Sequence, residues 1–286
     1  MKKLFCLLLA LTLLSALPLG AAAAVPEVSR MRLLFNPWNG VSEEYVPADP
    51  VTLYSLSIRA SLSAIQLDRQ AAHFAKAMFT DMAADGVTDY MVVSGYRAYE
   101  SQQRLFTNKI NQYLGQGYGE QEARVLASSI VAVPGTSEHQ SGYAMDISTS
   151  KQGGTLTNAI ETSPMGQWMR ANCADYGYIL RYAKDKTEIT GIVYEPWHFR
   201  FIGAPHAKII TERGICLEEY LALMKDQGRT VPYVDGDGIS YSIRYASALP
   251  DVDLNESAVA VHAVAAEGYL VTTAQHNPLL TPLRWN

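Results

Sequence analysis

Two short segments hold residue types that could do chemistry together: Ser137-Glu138-His139-Gln140-Ser141-Gly142-Tyr143-Ala144-Met145-Asp146 and Glu195-Pro196-Trp197-His198. They offer His139, Asp146 and His198 as metal ligands, with the carboxylate of Glu195 close to the last of them. A catalytic zinc takes three protein ligands and leaves its fourth position to water, whose pKa it lowers to about 7. A carboxylate beside that water can act as general base. Pro196 disfavours helical backbone at Glu195, so this is not the one-face spacing of a His-Glu-x-x-His helix. His206 follows His198 closely and is the alternative ligand, although it stands after Pro205 at a helix start. His73 falls in a helical stretch, and His262 and His276 fall in the tail without a paired carboxylate.

Positioning these residues requires a framework, and the hydrophobic pattern outlines one. Residues 58–84 carry an apolar stripe at Ile58, Leu62, Ile65, Ala72, Ala75, Phe79 and Met82, which predicts a long amphipathic helix closed by Gly86. Residues 89–94 form a β-rich run that feeds Gly95-Tyr96-Arg97, so Arg97 sits at a strand end; residues 100–113 and 120–131 read as helices. A strand over residues 142–147 carries Asp146, with His139 on the loop leading into it. Ser163-Pro164 is an N-cap followed by proline at the first helical position, and Gly177 ends that helix. Residues 178–182 and 191–202 are β-like. Period two then places His198 and Arg200 on one face and Trp197, Phe199 and Phe201 on the other. Residues 205–213 and 217–227 are short helices ended by Gly214 and Gly228. Beyond them residues 239–245, 258–264 and 268–273 alternate like strands, which places a domain boundary near residues 228–232.

The whole chain bounds the setting. Lys2 and Lys3 precede an apolar run over residues 4–14 and then Ala21-Ala22-Ala23-Ala24, so residues 1–24 read as a signal peptide, too short and too rich in small residues for a transmembrane helix. Removing them takes the formal charge from -5 to -7. A mildly acidic chain without a basic tract argues against nucleic acid as a partner. Cleavage leaves Cys173 and Cys216, one pair that secretion permits to bridge but that makes no disulfide scaffold. Residues 25–50, with Pro26, Pro37, Pro47 and Pro50, read as an extended arm wrapped on the domain.

Four co-linear motifs carry a resemblance over about residues 50–205. Ser94-Gly95-Tyr96-Arg97-Ala98-Tyr99-Glu100-Ser101-Gln102, then Gly135-Thr136-Ser137-Glu138-His139 through Asp146, then Tyr178-Ile179-Leu180-Arg181-Tyr182, then Tyr194-Glu195-Pro196-Trp197-His198-Phe199-Arg200 resemble the VanY-type D-alanyl-D-alanine carboxypeptidases. The resemblance implies a compact α+β zinc-peptidase fold with a small antiparallel sheet packed by helices, for the domain over residues 51–229; the alternation makes residues 230–286 a small β-rich region, a wall-binding module or a stabilising appendage. It implies zinc on His139, Asp146 and His198, Glu195 as the base, Arg97 at the substrate carbonyl or carboxylate, and Gln102 and Ser137 at the substrate terminus. Ala98 stands where the family often has serine. Tyr143 and Trp197 are read as packing residues.

The implied activity is removal of the terminal D-alanine from peptidoglycan stem peptides by a secreted, cell-wall-associated enzyme with no membrane span after signal cleavage. An L,D-carboxypeptidase acting on tetrapeptide stems shares these motifs, and an endopeptidase of cross-links is a third reading. A zinc-containing wall-binding protein without turnover is the alternative of another class, and Glu195 argues against it. Ser148-Thr149-Ser150-Lys151 satisfies the Ser-x-x-Lys pattern of serine carboxypeptidases, but its partner motifs Ser-x-Asn and Lys-Thr-Gly are absent from the sequence.

Overall fold

In the computed structural model, which describes residues 31–227, 230–235, 238–248, 259–264 and 268–275, an irregular arm leads to β1 (Pro50–Thr52), β2 (Gln66–Asp68) and helix α1 (Arg69–Ala84). Strand β3 (Met91–Ser94), helices α2 (Tyr99–Gly115) and α3 (Glu120–Ser128), β4 (Ala144–Ser148), α4 (Pro164–Asn172) and β5 (Tyr178–Leu180) come next. Then come the single turn α5 (Thr187–Thr190), β6 (His198–Phe201), α6 (His206–Arg213) and α7 (Leu217–Gln227). Strands β7 (Val231–Val234), β8 (Ser240–Ala246), β9 (Val259–Ala263) and β10 (Tyr269–Gln275) close the described chain. The segment read as a signal peptide and residues 228–229 at the expected boundary lie outside the described residues, as does His276.

The site is built on an antiparallel sheet in the order β3-β4-β6-β5. Its inner face, with Val92, Met145, Ile147, Phe199 and Phe201, packs on the buried stripe of α1, from Ala71 to Met82. Burying each large apolar side chain there is worth roughly 1.5–3 kcal/mol. Period two therefore sends His198 and Arg200 to the other face, where both approach Glu138. A second cluster joins Ile179 and Ile202 to Ile209, Ile210 and Tyr220, and takes in Ile243 and Leu270 of the β7-β8-β10-β9 sheet. Small antiparallel sheets packed by helices make an α+β fold, as the motifs imply.

The helix expected over residues 58–84 starts eleven residues late, at Arg69. Asp68 caps it by accepting from Gln70 N at 3.0 Å. Upstream, the β1-β2 ladder and the Ala60 to Val92 bridge use the backbone that a longer helix would need, and Leu62 is exposed. The β-like reading of residues 191–202 shortens to β6, because Glu195–His198 forms a turn, closed by His198 N donating to Glu195 O at 3.2 Å. Strand β7 adds an element that the alternation does not mark. Ser163 does cap α4, accepting from Gly166 N at 3.0 Å, and Gly177 closes the segment at φ 76°. Cys173 and Cys216 are buried and free. No described helix is long and apolar enough to cross a membrane.

Gly95 is fixed by close approach: a Cβ there would lie 2.2 Å from Gln66 O. Tyr96 N donates to that same oxygen at 2.7 Å, so the backbone cannot back away without losing the bond. Gly95→Ala is expected to cost about 1–3 kcal/mol, the usual range for overpacking. A thermal melt that matches the wild type would refute this account of the strand end.

Candidate metal centre and substrate cavity

Register brings the first two groups together. Asp146 on β4 is directly opposite His198 on β6, and Ser94 on β3 is opposite Asp146 after a shift in register past Val92. Such an irregularity twists a strand and re-aims the residues beyond it. Here the re-aimed chain leads to Arg97. His139 comes from the short 3-10 turn Glu138–Ser141, ended by Gly142 at φ 76°, a left-handed conformation that a Cβ would strain. Arg97 N donates to His139 O at 3.1 Å, tying that turn to the strand end.

Asp146 bridges both imidazoles. Its Oδ2 lies 3.1 Å from His139 Nε2 and its Oδ1 lies 3.0 Å from His198 Nδ1. The three residues are buried, and one donor atom from each lies within 4.8 Å of the others. The far side of each ring is occupied. His139 Nδ1 donates to Gly95 O at 2.7 Å, and His198 Nε2 lies 3.2 Å from Glu138 Oε2. One nitrogen from each imidazole and the Asp146 carboxylate thus face a common point, and the donor set with fixed outer partners fits a zinc ion.

Around this point lies a cavity of about 240 Å³ that Arg97, Gln102, Ser137 and Glu195 also line. Leu156, Tyr182, Ile192 and Trp197 supply apolar wall. Glu195 Oε2 is 3.7 Å from His198 Nδ1, brought there by the turn that Pro196 starts. Arg97 donates to Gln102 Oε1 and Ser94 Oγ, each at 2.8 Å, and stands 3.8 Å from Asp146 Oδ2. Gln102 is buried, and its amide nitrogen donates to Ala132 O at 2.6 Å. Its two ends are therefore engaged by the protein, which makes it a strut for Arg97.

His206, the alternative ligand, lies elsewhere. Its buried ring is held between Tyr220 Oη at 2.5 Å and Thr272 Oγ1 at 3.0 Å, in the seam between α6, α7 and β10. His73 is exposed on α1, and Tyr143 is buried in the core beside Phe201. Ser148 Oγ donates to Thr155 O at 2.8 Å and is not among the cavity-lining residues. The motifs contain Glu138, Arg181 and Arg200, yet their sequence assigns these three no role. A signal for them exists: Arg200 within one β-like run and Arg181 at the end of another are arginines that, once buried, need a carboxylate partner.

The charges explain one another. Burial would raise Glu138, but Arg181 and Arg200 hold it well below the usual carboxylate range. Burial would likewise raise Asp146, which the two histidines hold low. Burial lowers His139; it would lower His198 too, but hydrogen bonds to Asp146 and Glu138 carry that ring up to about 9. Burial pushes Glu195 up to about 8, with His198 opposing and Asp146 adding to the rise. The metal-free site therefore holds a proton on His198, between two carboxylates. A cation at the common point takes over that proton's electrostatic task and favours ionised Glu195.

Comparison with known proteins places this geometry. The sequence model of the family described as VanY, D-alanyl-D-alanine carboxypeptidase, matches residues 64–204. A D-alanyl-D-alanine carboxypeptidase of Enterococcus faecalis is 39% identical over 168 residues, which is 59% of this chain and 60% of that protein's length. A solved structure of a vancomycin-resistance D,D-pentapeptidase VanY variant in complex with Zn(II) is 36% identical, covers 67% of this chain and 98% of its own, and gives a TM-score of 0.56. The LdcB LD-carboxypeptidase structure is 34% identical, covers 66% of this chain and 84% of its own, and gives a TM-score of 0.58.

His198 sets the pH dependence of metal binding. Its pKa stands at about 9 in the metal-free protein against an ordinary 6.5, so zinc must displace a proton at any lower pH. Zinc affinity is expected to climb at least tenfold per pH unit from neutrality as the His198 proton is displaced, more steeply below pH 8 where Glu195 also gives up its proton, and to level off above pH 9. Competition titrations with a chelator across this range check it. A flat profile would show that zinc displaces no proton from His198, and full zinc content in His198→Ala would remove His198 from the ligand set.

Proposed function

This chain belongs to the VanY family of D-alanyl-D-alanine carboxypeptidases, and from that premise we propose that it is a secreted zinc carboxypeptidase that trims the terminal D-alanine from peptidoglycan stem peptides. The observation that carries this reading is the meeting of His139, Asp146 and His198 with Glu195 and Arg97 around one cavity. We assign His139, Asp146 and His198 as the zinc ligands. When bound, zinc supplies a Lewis acid and lowers the pKa of water to about 7.

The protein's own groups account for the remaining chemistry. Glu195, at the cavity wall beside His198, accepts a proton from the attacking water as its oxygen bonds to the penultimate carbonyl carbon. The same carboxyl returns that proton to the amine nitrogen as the C–N bond breaks, releasing D-alanine. Arg97 is braced by Gln102 and Ser94, so its planar cation is positioned before substrate arrives. It meets the developing oxyanion or the terminal carboxylate, both of which suit a guanidinium. We place Ser137 at the substrate terminus and give Gln102 the supporting part. Residues 1–24 would direct export, and strands β8 and β10 would brace α6 and α7, on the packing of Ile243 and Leu270 into their cluster.

The likeness to LdcB favours one second reading, an L,D-carboxypeptidase acting on tetrapeptide stems. Defined penta- and tetrapeptide stems with product masses separate the two. Loss of D-alanine from the pentapeptide alone supports the first, and from the tetrapeptide alone the second.

Glu195→Gln keeps the side chain's shape and removes the base. It should retain zinc while turnover falls by about a hundredfold or more, the scale of a positioned acid-base group. Near-normal turnover in that variant would remove Glu195 from the mechanism. Amidating the end of a D-Ala-D-Ala stem should lower kcat/KM by about 10² or more, because polar groups built for a carboxylate are left unpaired. Equal cleavage of free and amidated stems would point to an endopeptidase and leave the zinc and Glu195 assignments standing.

A further inference from the structure

Glu138 takes no part in the steps above, yet its carboxylate is fully buried and doubly clamped. Arg181 Nε donates to its Oε1 at 2.8 Å, and Arg200 Nη1 lies 2.9 Å from the same oxygen as an ion pair. Its other oxygen is left facing His198 Nε2 at 3.2 Å. The clamps are themselves anchored. Arg181 donates to both carboxylate oxygens of Glu218 on α7, at 2.9 and 2.7 Å, and Arg200 Nη2 donates to Met31 O at 2.8 Å and Leu33 O at 3.0 Å in the arm.

We infer that Glu138 is a positioning residue that fixes the tautomer and ring orientation of His198, so that Nδ1 and not Nε2 is presented to the metal. The inference rests on the functional reading above. A neutral imidazole has one N–H and one lone pair, and the partner of the first decides where the second points. An acceptor held at Nε2 keeps the proton there. Two arginines on Oε1 leave Oε2 no freedom to swing away, because turning the carboxylate would break both ion pairs. Only a charged side chain can serve here, since an uncharged one would leave the buried Arg200 without a carboxylate and Arg181 with Glu218 alone. The position of one metal ligand is thus set through α7 and the arm, neither of which lines the cavity.

The test uses the full-length purified protein and reads zinc affinity by competition with a chromogenic chelator, the visible spectrum of the cobalt-substituted protein, and the melt of the metal-free protein. Glu138→Gln should weaken zinc by about 10–100-fold, the usual effect of removing such an outer partner, and should alter the cobalt spectrum. If the stranded arginines unfold that variant, Glu138→Asp decides: it keeps the charge for both arginines but withdraws the acceptor from His198, so it should melt cooperatively and still bind zinc more weakly. Met224→Ala, a packing change on α7 away from the clamp, should lower the melting temperature and leave zinc affinity and the cobalt spectrum unchanged. A folded Glu138 variant that binds zinc as tightly as the wild type overturns the inference, and so does a Met224→Ala protein that loses zinc to the same degree. If the folded wild type binds no zinc, the functional reading itself falls; if it does and the Glu138 variants do equally, only the positioning role falls.

Discussion

The pairing register of β4 with β6 is the constraint on which the rest depends. Asp146 sits opposite His198 only because Phe199 pairs with Met145 and their side chains enter the core. A slip of one residue would turn Phe199 and Phe201 out of the core and His198 into it. Each phenylalanine holds roughly 1.5–3 kcal/mol of burial. The hydrophobic effect, acting through core side chains, therefore decides where two of the candidate metal ligands stand.

A polar arrangement beneath a sheet must answer for its charges, and here it does so in layers. Asp146 is answered by the two histidines, Glu138 by two arginines, and Arg181 in turn by Glu218. Buried pairs of this kind add little net stability against an apolar replacement, yet removing one member costs about 3–5 kcal/mol because its partner is stranded. Such a network is held in its geometry by its own penalty. It also accounts for the arm: Met31 O, Leu33 O and Phe35 O accept from Arg200 and Arg181, so residues far from the cavity complete the shell beneath it.

Much of this is legible in the residues, and the exceptions have physical causes. Capping chemistry is local, so Ser163-Pro164 marks the start of its helix correctly, whereas Gly177 ends the 3-10 turn Cys173–Tyr176 that follows the helix and not the helix itself, and alternation places His198 and Arg200 on one face. The start of α1 is misread because the apolar residues from Ile58 to Ile65 imitate helical spacing while their backbone is claimed by β1, Val92 and the Asp68 cap. Tertiary pairing overrides periodicity there. The candidate metal group is readable because its residues stand in dense motifs; the place of Glu138 is not, because a carboxylate next to His139 in sequence gives no sign of which ring it will face. Gln102 illustrates the same limit. Its side-chain type suits a substrate contact, and its bonds to Arg97 and Ala132, which the sequence does not show, add a bracing part.

The disposition of the arginines finally separates structure from recognition. Arg181 and Arg200 have no side-chain exposure and are spent on protein carboxylates and carbonyls. Arg97 keeps 21% of its side chain exposed, and among the described residues lining the cavity it is the one arginine or lysine. Burial lowers its pKa while Asp146 and Glu195 resist that fall, so it stays charged and underpaired at 3.8 Å from its nearest carboxylate. A guanidinium held straight by neutral partners, with its strongest attraction unspent, is suited to an incoming anion. The apolar walls of Leu156, Tyr182, Ile192 and Trp197 sharpen that attraction by excluding water, since a charge pair gains strength as the surrounding dielectric falls. The cavity thus offers one cationic end beside apolar walls, an arrangement suited to an anionic group carried on an apolar frame.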